Sequence, residues 1–291
     1  MRSDIEQVIH LLKSDDRDAL EKAISLLQQS VFSFSMRLCG QQQDAEDTMQ
    51  EVLVKAIPYL PQFDNPGALA RWLYKVAKNR CLMSRRRSKF APKQELSLEE
   101  LMPEREELER LGASEDGTPE DSAIRGEQNQ RLREALRSLP PHYRIVLVLR
   151  DMEGFSDEEA AEITGLRPGT VRVRLHRARL FVRKELAKIK GGGGKDRSQD
   201  GARVPSRSRR CRRIFAGLSD YLDGELDEFS CEEIEAHMDG CEPCKKFLRS
   251  LQAAIERCRH SQSDCPDPTK AAALRKQFLS IYGRALAANA K

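Results

Sequence analysis

One histidine and two cysteines near the carboxy-terminal end of the chain have the spacing of metal ligands. In the segment HMDGCEPC, Cys241 follows His237 by four residues and Cys244 follows Cys241 by three. A closed structural zinc site takes four ligands, and imidazole nitrogen and thiolate sulfur are its usual donors. The segment therefore predicts a structural zinc site that needs one more ligand. Reduced cysteines in a small core are the alternative interpretation.

Spacing argues against three other cysteines as the fourth ligand. If a helix runs up to His237, Cys231 lies six residues before it and about 120° round that helix, at 100° per residue. Cys258 follows Cys244 by fourteen residues, which is about 21 Å at 1.5 Å per residue of helix. Nothing in the sequence directs Cys265 toward the site.

Cys211 is the preferred fourth ligand. It opens the amphipathic segment CRRIFAGLSDYLDGEL, which predicts a helix. The short connection DGELDEFS lets that helix fold back over the segment that ends in the histidine, and this brings Cys211 near the site. The sequence thus predicts a zinc site formed by Cys211, His237, Cys241 and Cys244.

The elements that must position these ligands are helical. Of the 291 residues, 33% are charged and 5% are aromatic, a balance that suits small helical domains joined by polar linkers. Strand signals are weak, so we expect an all-α fold of two small helical domains and a small helical zinc-binding domain on a flexible linker. The expected organisation is a helical domain over residues 1–90, an acidic linker over 91–125, a second helical domain over 126–190, a Gly/Ser/Arg linker over 191–210, and the zinc-binding domain with a C-terminal helix over 211–291.

Features of secreted and membrane proteins are missing from the sequence. The amino-terminal segment MRSDIEQVIH lacks the apolar core of a signal peptide, and no apolar run approaches the roughly 20 residues that span a bilayer. We therefore expect a cytoplasmic protein with no membrane partner. Its eight cysteines are expected to be reduced thiols or metal ligands and not a disulfide framework.

The segment FSDEEAAEITGLRPGTVRVRLHRARLFVRKEL has the pattern of two short helices joined by a tight turn. Ser156 and Glu159 form a capping box that starts the first helix. Gly165 suits its left-handed end, and Thr170 can cap the second helix. Because the second helix is strongly basic, the segment predicts a helix-turn-helix DNA reader. A solvated basic helix is the alternative.

The longer run LRSLPPHYRIVLVLRDMEGFSDEEAAEITGLRPGTVRVRLHRAR closely resembles the fourth conserved region of bacterial extracytoplasmic-function sigma factors, which reads the −35 promoter element. The amino-terminal part of a recognition helix usually faces base edges, and we expect the later arginines to hold phosphates. The expected base readers are Thr170, Arg172, Val173 and Arg174. The expected phosphate contacts are Arg177, Arg179 and Arg183.

This resemblance implies a second sigma domain in the amino-terminal half. The segment DAEDTMQEVLVKAIPYLPQFD is similar to the helix of conserved region 2 that grips the clamp of RNA polymerase. An ordinary amphipathic helix with a solvated acidic face is the alternative. The resemblance assigns polymerase binding to Asp44, Glu46, Asp47, Gln50 and Glu51.

The next segment, GALARWLYKVAKNRCLMSRRRSK, is basic along one side and contains no acidic residue. Such a helix suits phosphate and single-stranded base contacts, and the equivalent sigma-factor helix holds the −10 element and helps melt it. The preceding loop QFDNPG matches the position of the base-capturing loop. The candidate DNA contacts are Asn65, Arg71, Lys75, Lys78, Asn79, Arg80, Arg85, Arg86 and Arg87.

The carboxy-terminal pattern, LSDYLDGEL followed by IEAH-x₃-C-x₂-C, resembles the zinc-binding anti-sigma domain, which uses the ligand set given above. The resemblance implies a sigma factor that directs core RNA polymerase to promoter DNA. Its own zinc domain is expected to modulate it through an intramolecular contact or by recruiting another regulatory protein. No catalytic constellation is recognisable, so we expect no enzyme activity. Two alternatives stay open: a metal or redox sensor tail that activates the sigma domains, and a stand-alone helix-turn-helix regulator.

Charge is strongly segregated in the carboxy-terminal part. Ten acidic residues and neither lysine nor arginine lie between Leu218 and Glu242, whereas the two predicted DNA-binding helices are almost purely basic. We expect the acidic surface to lie against one of those helices or to block the polymerase-binding surface. A solvated face that keeps the module soluble is the alternative. The segment TKAAALRKQFLSIYGRAL predicts a further amphipathic helix, whose partner the sequence does not show.

Overall fold

The computed structural model describes residues 2–13, 17–85, 95–103, 122–188, 209–262 and 264–289. Most of these residues are helical and no β-strand occurs among them, which confirms the all-α prediction. The chain forms two compact units. The first unit contains Met1–Lys93, Pro140–Val171 and Ser261–Lys291, and the second unit contains Gln94–Leu139 and Arg172–His260. The domain boundaries expected from the sequence stay a prediction.

The helices follow in this order: α1 (Arg2–Leu12), α2 (Arg17–Cys39), α3 (Gln42–Ala56), α4 (Pro66–Arg85), α5 (Leu98–Leu101), α6 (Ser122–Ser138), α7 (Pro141–Leu147), α8 (Asp157–Thr164), α9 (Pro168–Lys188), α10 (Arg209–Asp223), α11 (Glu228–Gly240), α12 (Glu242–Arg259) and α13 (Pro268–Asn289). A 3-10 turn, Ile57–Gln62, follows α3, and a π-helical turn, Val148–Met152, follows α7. None of the described helices is long and apolar enough to cross a membrane.

In the first unit, α1 to α4 pack around an apolar core in which Leu27, Phe34 and Leu53 are fully buried. The ring of Tyr74 on α4 meets Phe34 edge to face, with 4.4 Å between ring centroids. It also meets Phe155, just before α8, at 5.2 Å. Edge-to-face pairs of this kind add to the energy of burial. The aromatic cluster therefore joins the amino-terminal helices to the start of the helix-turn-helix segment.

The capping chemistry around α8 is as predicted, and that at the start of α9 is not. Ser156 Oγ accepts from the amide of Glu159, and the Glu159 carboxylate accepts from the amide of Ser156. Gly165 ends α8 at φ 75°, in the left-handed region. Thr170 was expected to cap α9 but lies inside its first turn, where its amide donates to the Arg167 carbonyl. Pro168 begins the helix instead, because its fixed φ suits the first helical position.

Two cysteines of the first unit are paired, which corrects the expectation of reduced thiols. Cys39, at the end of α2, and Cys81, on α4, form a disulfide with 5.6 Å between their Cα atoms. The two residues are 42 positions apart, and only the packing of α2 against α4 brings them together. The absence of a secretion signal gave no information about this contact. None of the other six cysteines, all of which are among the described residues, is in a disulfide.

In the second unit, α10, α11 and α12 form a small helical cluster around Ile214, Leu218, Ile234, Phe247 and Leu251, all of which are buried. Helix α10 turns back at Gly224, whose φ of 70° lies in the left-handed region. The predicted folding of α10 over the helix that carries the histidine is therefore observed. An ion pair between Arg213 and Glu233 and a hydrogen bond from Tyr221 to Glu235 join the two helices.

Candidate metal centre and nucleic-acid interfaces

The four predicted metal ligands lie together in the second unit. The donor atoms of Cys211, His237, Cys241 and Cys244 are all within 4.8 Å of one another. His237 Nε2 is 3.6 Å from Cys211 Sγ and 3.4 Å from Cys244 Sγ. Tetrahedral zinc, with bonds of about 2.0–2.3 Å, separates nitrogen and sulfur ligands by about 3.5 Å. The donor set and its spacing fit zinc.

Three helix ends position these donors. Cys211 is in the first turn of α10, His237 in the last turn of α11, and Cys244 in the first turn of α12. Cys241 is the single residue between α11 and α12. The local sequence sets this arrangement, because Cys241 is both the C-cap of α11 and the N-cap of α12. A metal bound here would therefore fix the relative positions of all three helices.

The protonation of the donors suits a cation. Burial and the nearby Arg210 charge lower the pKa of His237, so the ring is neutral and can offer a lone pair. Burial, together with Cys241 and Cys211, raises the pKa of the Cys244 thiol. Clustered thiolates are unfavourable without a positive charge among them, and a divalent cation reverses that preference. The cluster is chemically a cation site.

The three remaining cysteines outside the disulfide lie elsewhere, as the spacing argument predicted. Cys231 Sγ lies 4.0 Å from the Leu226 carbonyl oxygen. Cys258 is buried on α12. Cys265 belongs to the first unit, where it accepts a hydrogen bond from Gln29 at 3.6 Å. None of the three belongs to the cluster of donors.

The recognition helix α9 has an apolar face that the sequence indicated correctly. Its buried residues include Val171, Leu175, Ala178 and Val182. The expected base readers differ in exposure: Arg172 and Val173 are exposed, and Thr170 and Arg174 are half-buried. Of the expected phosphate contacts, Arg177 is half-buried and 3.9 Å from Glu95. Arg179 and Arg183 are buried, each about 2% exposed.

Helices α10 and α12 bury these two arginines. Arg179 Nη1 and Nη2 lie 2.7 and 2.9 Å from the two carboxylate oxygens of Asp223, at the end of α10. Arg179 also donates to Ser219 Oγ at 3.2 Å. The guanidinium of Arg183 lies 4.3 Å from the ring centroid of Phe247, which is a cation–π contact. Helices α10 and α12 therefore lie against the side of α9 that carries these two expected phosphate contacts.

Two further contacts extend this interface. Arg172 forms a 2.8 Å ion pair with Glu225, in the turn after α10. His176 packs against Phe215, with 6.1 Å between ring centroids, and among the described residues neither of its ring nitrogens has a hydrogen-bond partner. Burial, together with the charges of Arg179 and Arg177, lowers the pKa of His176 to about 4. The acidic stretch that the sequence singled out thus supplies two of the carboxylates that pair with α9, those of Asp223 and Glu225.

The predicted polymerase-binding residues lie on the polar side of α3, opposite the buried Met49, Val52 and Leu53. Glu46 is paired with Lys270 of α13 at 2.7 Å, and this hydrogen bond lowers the pKa of Glu46. The other four predicted residues are exposed or half-buried: Asp44, Asp47, Gln50 and Glu51. Lys55 and Arg80 each lie 2.7 Å from an oxygen of Glu51.

Helix α13, whose partner the sequence did not show, packs on α2, α3 and the 3-10 turn of the first unit. Phe278 and Tyr282 are its buried anchors. Gln28 Nε2 donates to the Ala271 carbonyl at 3.0 Å, and Arg275 Nε donates to Gln28 Oε1 at 3.2 Å. Because Glu46 is part of the same contact, α13 covers one edge of the predicted polymerase-binding surface.

The candidate −10 contacts on and before α4 differ in whether they contact other parts of the chain or are exposed. Asn65 caps the helix, since its side-chain oxygen accepts from the amides of Gly67 and Ala68. Lys75 and Asn79 are exposed. Arg71 and Lys78 bind residues of α8, and Arg80 pairs with Glu51. Arg85 ends α4, and Arg86 and Arg87 lie outside the described residues.

Sequence reasoning missed the partners of these functional residues. Glu159 was recognised only as part of a capping box, although it also lies 3.5 Å from Arg71. Glu162, Asp223 and Glu225 had no individual signal beyond their charge. His176 had no signal that separated it from its neighbours on the basic helix. The segregation of charge along the chain was the one signal that pointed toward such pairs.

The comparisons with known proteins agree with the motifs. Three family models match: sigma-70 region 2 over residues 23–90, sigma-70 region 4 over residues 129–182, and a putative zinc-finger over residues 211–245. The zinc-finger match includes all four clustered donors. The region 4 match includes α8 and most of α9, and the region 2 match includes α3 and α4.

Individual relatives are similar over the sigma part. The chain is 37% identical to the ECF RNA polymerase sigma factor SigE of Mycolicibacterium smegmatis over 159 residues, which are 54% of this chain and 58% of that protein. It is 29% identical to the ECF RNA polymerase sigma factor SigW of Bacillus subtilis over 182 residues, 62% of this chain and 96% of that protein. It is also 29% identical to the RNA polymerase sigma-H factor of Pseudomonas aeruginosa over 186 residues, 62% of this chain and 93% of that protein.

Both sigma-70 models match in the order of the two predicted sigma domains, and the relatives named above are sigma factors. The helix-turn-helix capping, the basic recognition helix and the acidic α3 are all present in the matched ranges. The chain therefore contains sigma-70 region 2 and region 4 domains followed by a putative zinc-finger domain, and over its sigma part it is similar to extracytoplasmic-function RNA polymerase sigma factors.

Proposed function

We propose that this sigma factor directs core RNA polymerase to promoters and is held inactive by its own carboxy-terminal part. The observation that carries the proposal is the burial of Arg179 against Asp223, with contacts of 2.7 and 2.9 Å. The bidentate carboxylate neutralises the guanidinium, and only about 2% of Arg179 is exposed to an incoming phosphate. Arg179 therefore cannot hold a DNA phosphate while Asp223 is in place.

The interface hides more than one DNA contact. Arg183 lies over Phe247, and Arg172, an expected base reader, pairs with Glu225. Each phosphate contact that is lost lowers affinity for all sequences and reduces the salt dependence of binding by about one unit of slope. A recognition helix with these three arginines engaged would bind duplex DNA weakly. Promoter binding then requires α10 and α12 to leave α9.

Zinc has a structural role in this proposal. Cys211, His237, Cys241 and Cys244 would hold it, and four protein ligands leave no open coordination position for hydrolysis. When bound, zinc supplies the bonds that fix the start of α10 to α11 and α12. Asp223 is at the far end of α10, so the orientation of this helix decides whether the carboxylate reaches the recognition helix. Oxidising the ligands or removing the metal would loosen that orientation.

Helix α13 supports a second part of the same inhibition. It carries four basic residues and no acidic one over Pro268–Asn289, and it lies beside the acidic side of α3. The residue it pairs with, Glu46, is one that the resemblance assigns to polymerase binding. Polymerase and α13 would therefore compete for one edge of α3. The carboxy-terminal part would oppose both promoter reading and polymerase binding.

Reversing one charge tests the proposal. Asp223→Lys places a positive charge against Arg179, and Asp239→Lys makes the same charge change at an exposed position of α11. Transcripts that depend on the wild-type chain are first identified by sequencing run-off products of core polymerase on genomic DNA. We expect Asp223→Lys to increase these transcripts several-fold and Asp239→Lys to leave them unchanged. Equal or lower output from a folded Asp223→Lys chain would favour an activating tail.

A further inference from the structure

In the first unit, one basic residue of α4, Lys78, contacts the carboxyl end of α8. Lys78 Nζ donates to the carbonyl oxygens of Ile163 at 2.9 Å and Thr164 at 3.5 Å. These carbonyls are in the last turn of α8, where no intrahelical amide is available and the helix dipole is negative. Lys78 therefore caps α8, and only 9% of its surface is exposed.

A second basic residue of α4, two turns before Lys78, also contacts α8. Arg71 Nε lies 2.9 Å from Glu162, and Arg71 Nη1 lies 3.5 Å from Glu159. Arg71 and Lys78 are seven residues apart, so they share one side of α4. Both predicted −10 contacts on this side therefore face the first helix of the helix-turn-helix, Lys78 buried and Arg71 half-buried.

Between these two cations the contact is buried. The Tyr74 hydroxyl donates to one carboxylate oxygen of Glu153 at 2.8 Å, and Arg37 donates to the other at 2.7 Å. The side chain of Glu153 is 1% exposed, so its two partners are what make the burial of this carboxylate tolerable. Arg144 of α7 donates to the Leu38 carbonyl at 2.9 Å. The contact is thus a packed interface with a polar centre.

We propose that the turn before α8 and α8 itself form a docking surface for the DNA-facing side of α4, defined by Arg71, Tyr74 and Lys78. Single-stranded DNA can reach Arg71 and Lys78 only after this docking surface has separated from α4. The inference rests on the proposed function in one respect, namely that α4 binds promoter DNA. It is independent of the zinc module, because every contact that carries it lies within Met1–Lys93 and Pro140–Val171.

Glu162 is the position at which the interface can be altered with least risk to folding. Its side chain is 61% exposed and its pair with Arg71 is screened by solvent, whereas Glu159 also belongs to the capping box and Glu153 is buried. Glu162→Arg would place two guanidinium groups against each other. Glu232→Arg, at an exposed position of α11, makes the same charge change away from α4 and serves as the control.

The first measurement follows the interface itself in the full-length chain. Hydrogen exchange of the α4 and α8 amides reports local opening. We expect Glu162→Arg and Arg71→Glu each to increase exchange in both helices, and the double charge swap to restore protection. Glu232→Arg should leave both helices protected. Unchanged exchange in Glu162→Arg, or no restoration in the double swap, would overturn the proposed docking.

The second measurement follows DNA, with a fluorescein-labelled single-stranded oligonucleotide of mixed sequence at fixed salt. Glu162→Arg is expected to bind it several-fold more tightly than Glu232→Arg, and Lys75→Ala in the Glu162→Arg background should remove the gain. Increased exchange without tighter binding overturns the inference and leaves the proposed function intact. A gain that persists in Lys75→Ala shows that DNA does not bind α4, which overturns this part of the proposed function together with the inference.

Discussion

The guanidinium of Arg179 and the carboxylate of Asp223 meet in two parallel contacts of 2.7 and 2.9 Å, with Arg179 about 2% exposed. Planar, two-point pairing is specific to arginine, because a lysine ammonium offers a single point charge. A buried pair of this kind need not stabilise a protein more than apolar packing would. Removing one partner, however, leaves an uncompensated buried charge, which makes the pair sensitive to substitution.

Asp223→Asn is therefore expected to destabilise the contact between α9 and α10. The asparagine keeps the size of the side chain but leaves Arg179 without a counter-charge, at a cost of about 3 kcal/mol. The free energy of local opening, measured by hydrogen exchange of the α9 and α10 amides, should fall by this amount. Asp239→Asn, exposed on α11, should change it by less than about 0.5 kcal/mol. Equal values for the two variants would contradict the importance of the pair.

The metal ligands can be separated from the other cysteines by analysis of bound zinc. Cys211→Ser is expected to lose the metal, because one of the four clustered donors is removed. Cys231→Ser, also a substitution in the zinc module, should retain it, since Cys231 lies outside the cluster. Metal content is measured after gel filtration in zinc-free buffer. The reverse pattern would show that the assignment of Cys211 is wrong.

Local signals in the sequence were sufficient for the metal centre. Cys241 and Cys244 are fixed by one helix boundary, and Cys211 follows from the folding back of an amphipathic helix across a short turn. The capping box of Ser156 and Glu159 was also readable, because all its atoms come from four consecutive residues. In each case the sequence distance is short and the geometry follows from helix parameters.

Partners that are distant in sequence were not readable. Lys270 and Glu46 are 224 positions apart, and Cys39 and Cys81 are 42 apart. Helical periodicity shows which side of a helix is buried but not which helix covers it. It predicted the amphipathic helix α13, whose Phe278 is buried, without indicating which helices cover it. Such contacts depend on how helices distant in sequence pack within one unit, which only the structure shows.

From the disulfide we predict how many cysteines react with a thiol reagent before and after reduction. In denaturant and with a chelator, six thiols per chain should react with a thiol reagent, and all eight cysteines should react after reduction. Closing a loop of this length stabilises the folded state by about 4 kcal/mol in the chain-entropy model. Cys81→Ser should lower the free energy of unfolding of the first unit by a similar amount. Eight reactive thiols before reduction would show that the pair is not formed.

His176 predicts a dependence of the α9 interface on pH. Burial and the charges of Arg179 and Arg177 lower the pKa of His176 to about 4, below its ordinary value of 6.5. The open state therefore binds more protons in this range, so the closed state is most stable above about pH 6.5 and loses stability as pH falls toward 4. Between pH 7 and pH 5 the loss is about 2 kcal/mol.

His176→Phe should remove that part of the pH dependence, because the ring keeps its packing on Phe215 but cannot be protonated. Hydrogen exchange of the α9 amides at matched pH values measures the difference between the two chains. Acid also protonates the metal ligands, but it does so in both chains, so the comparison isolates the histidine. Parallel pH profiles for wild type and His176→Phe would contradict this prediction.

Lys270→Glu tests whether α13 competes with polymerase for α3. The pair between Lys270 and Glu46 raises the pKa of the lysine and lowers that of the carboxylate, as expected for a contact that favours both charged forms. In Lys270→Glu two carboxylates face each other beside Asp47, so α13 should leave the surface more readily. Affinity for core RNA polymerase, measured by fluorescence anisotropy of the labelled full-length chain, is expected to increase several-fold.

Lys276→Glu makes the same charge change at another exposed position of α13 and should leave the affinity unchanged. Equal affinities for the two variants would show that α13 does not compete. A lower affinity in Lys270→Glu alone would show that Lys270 itself contributes to polymerase binding.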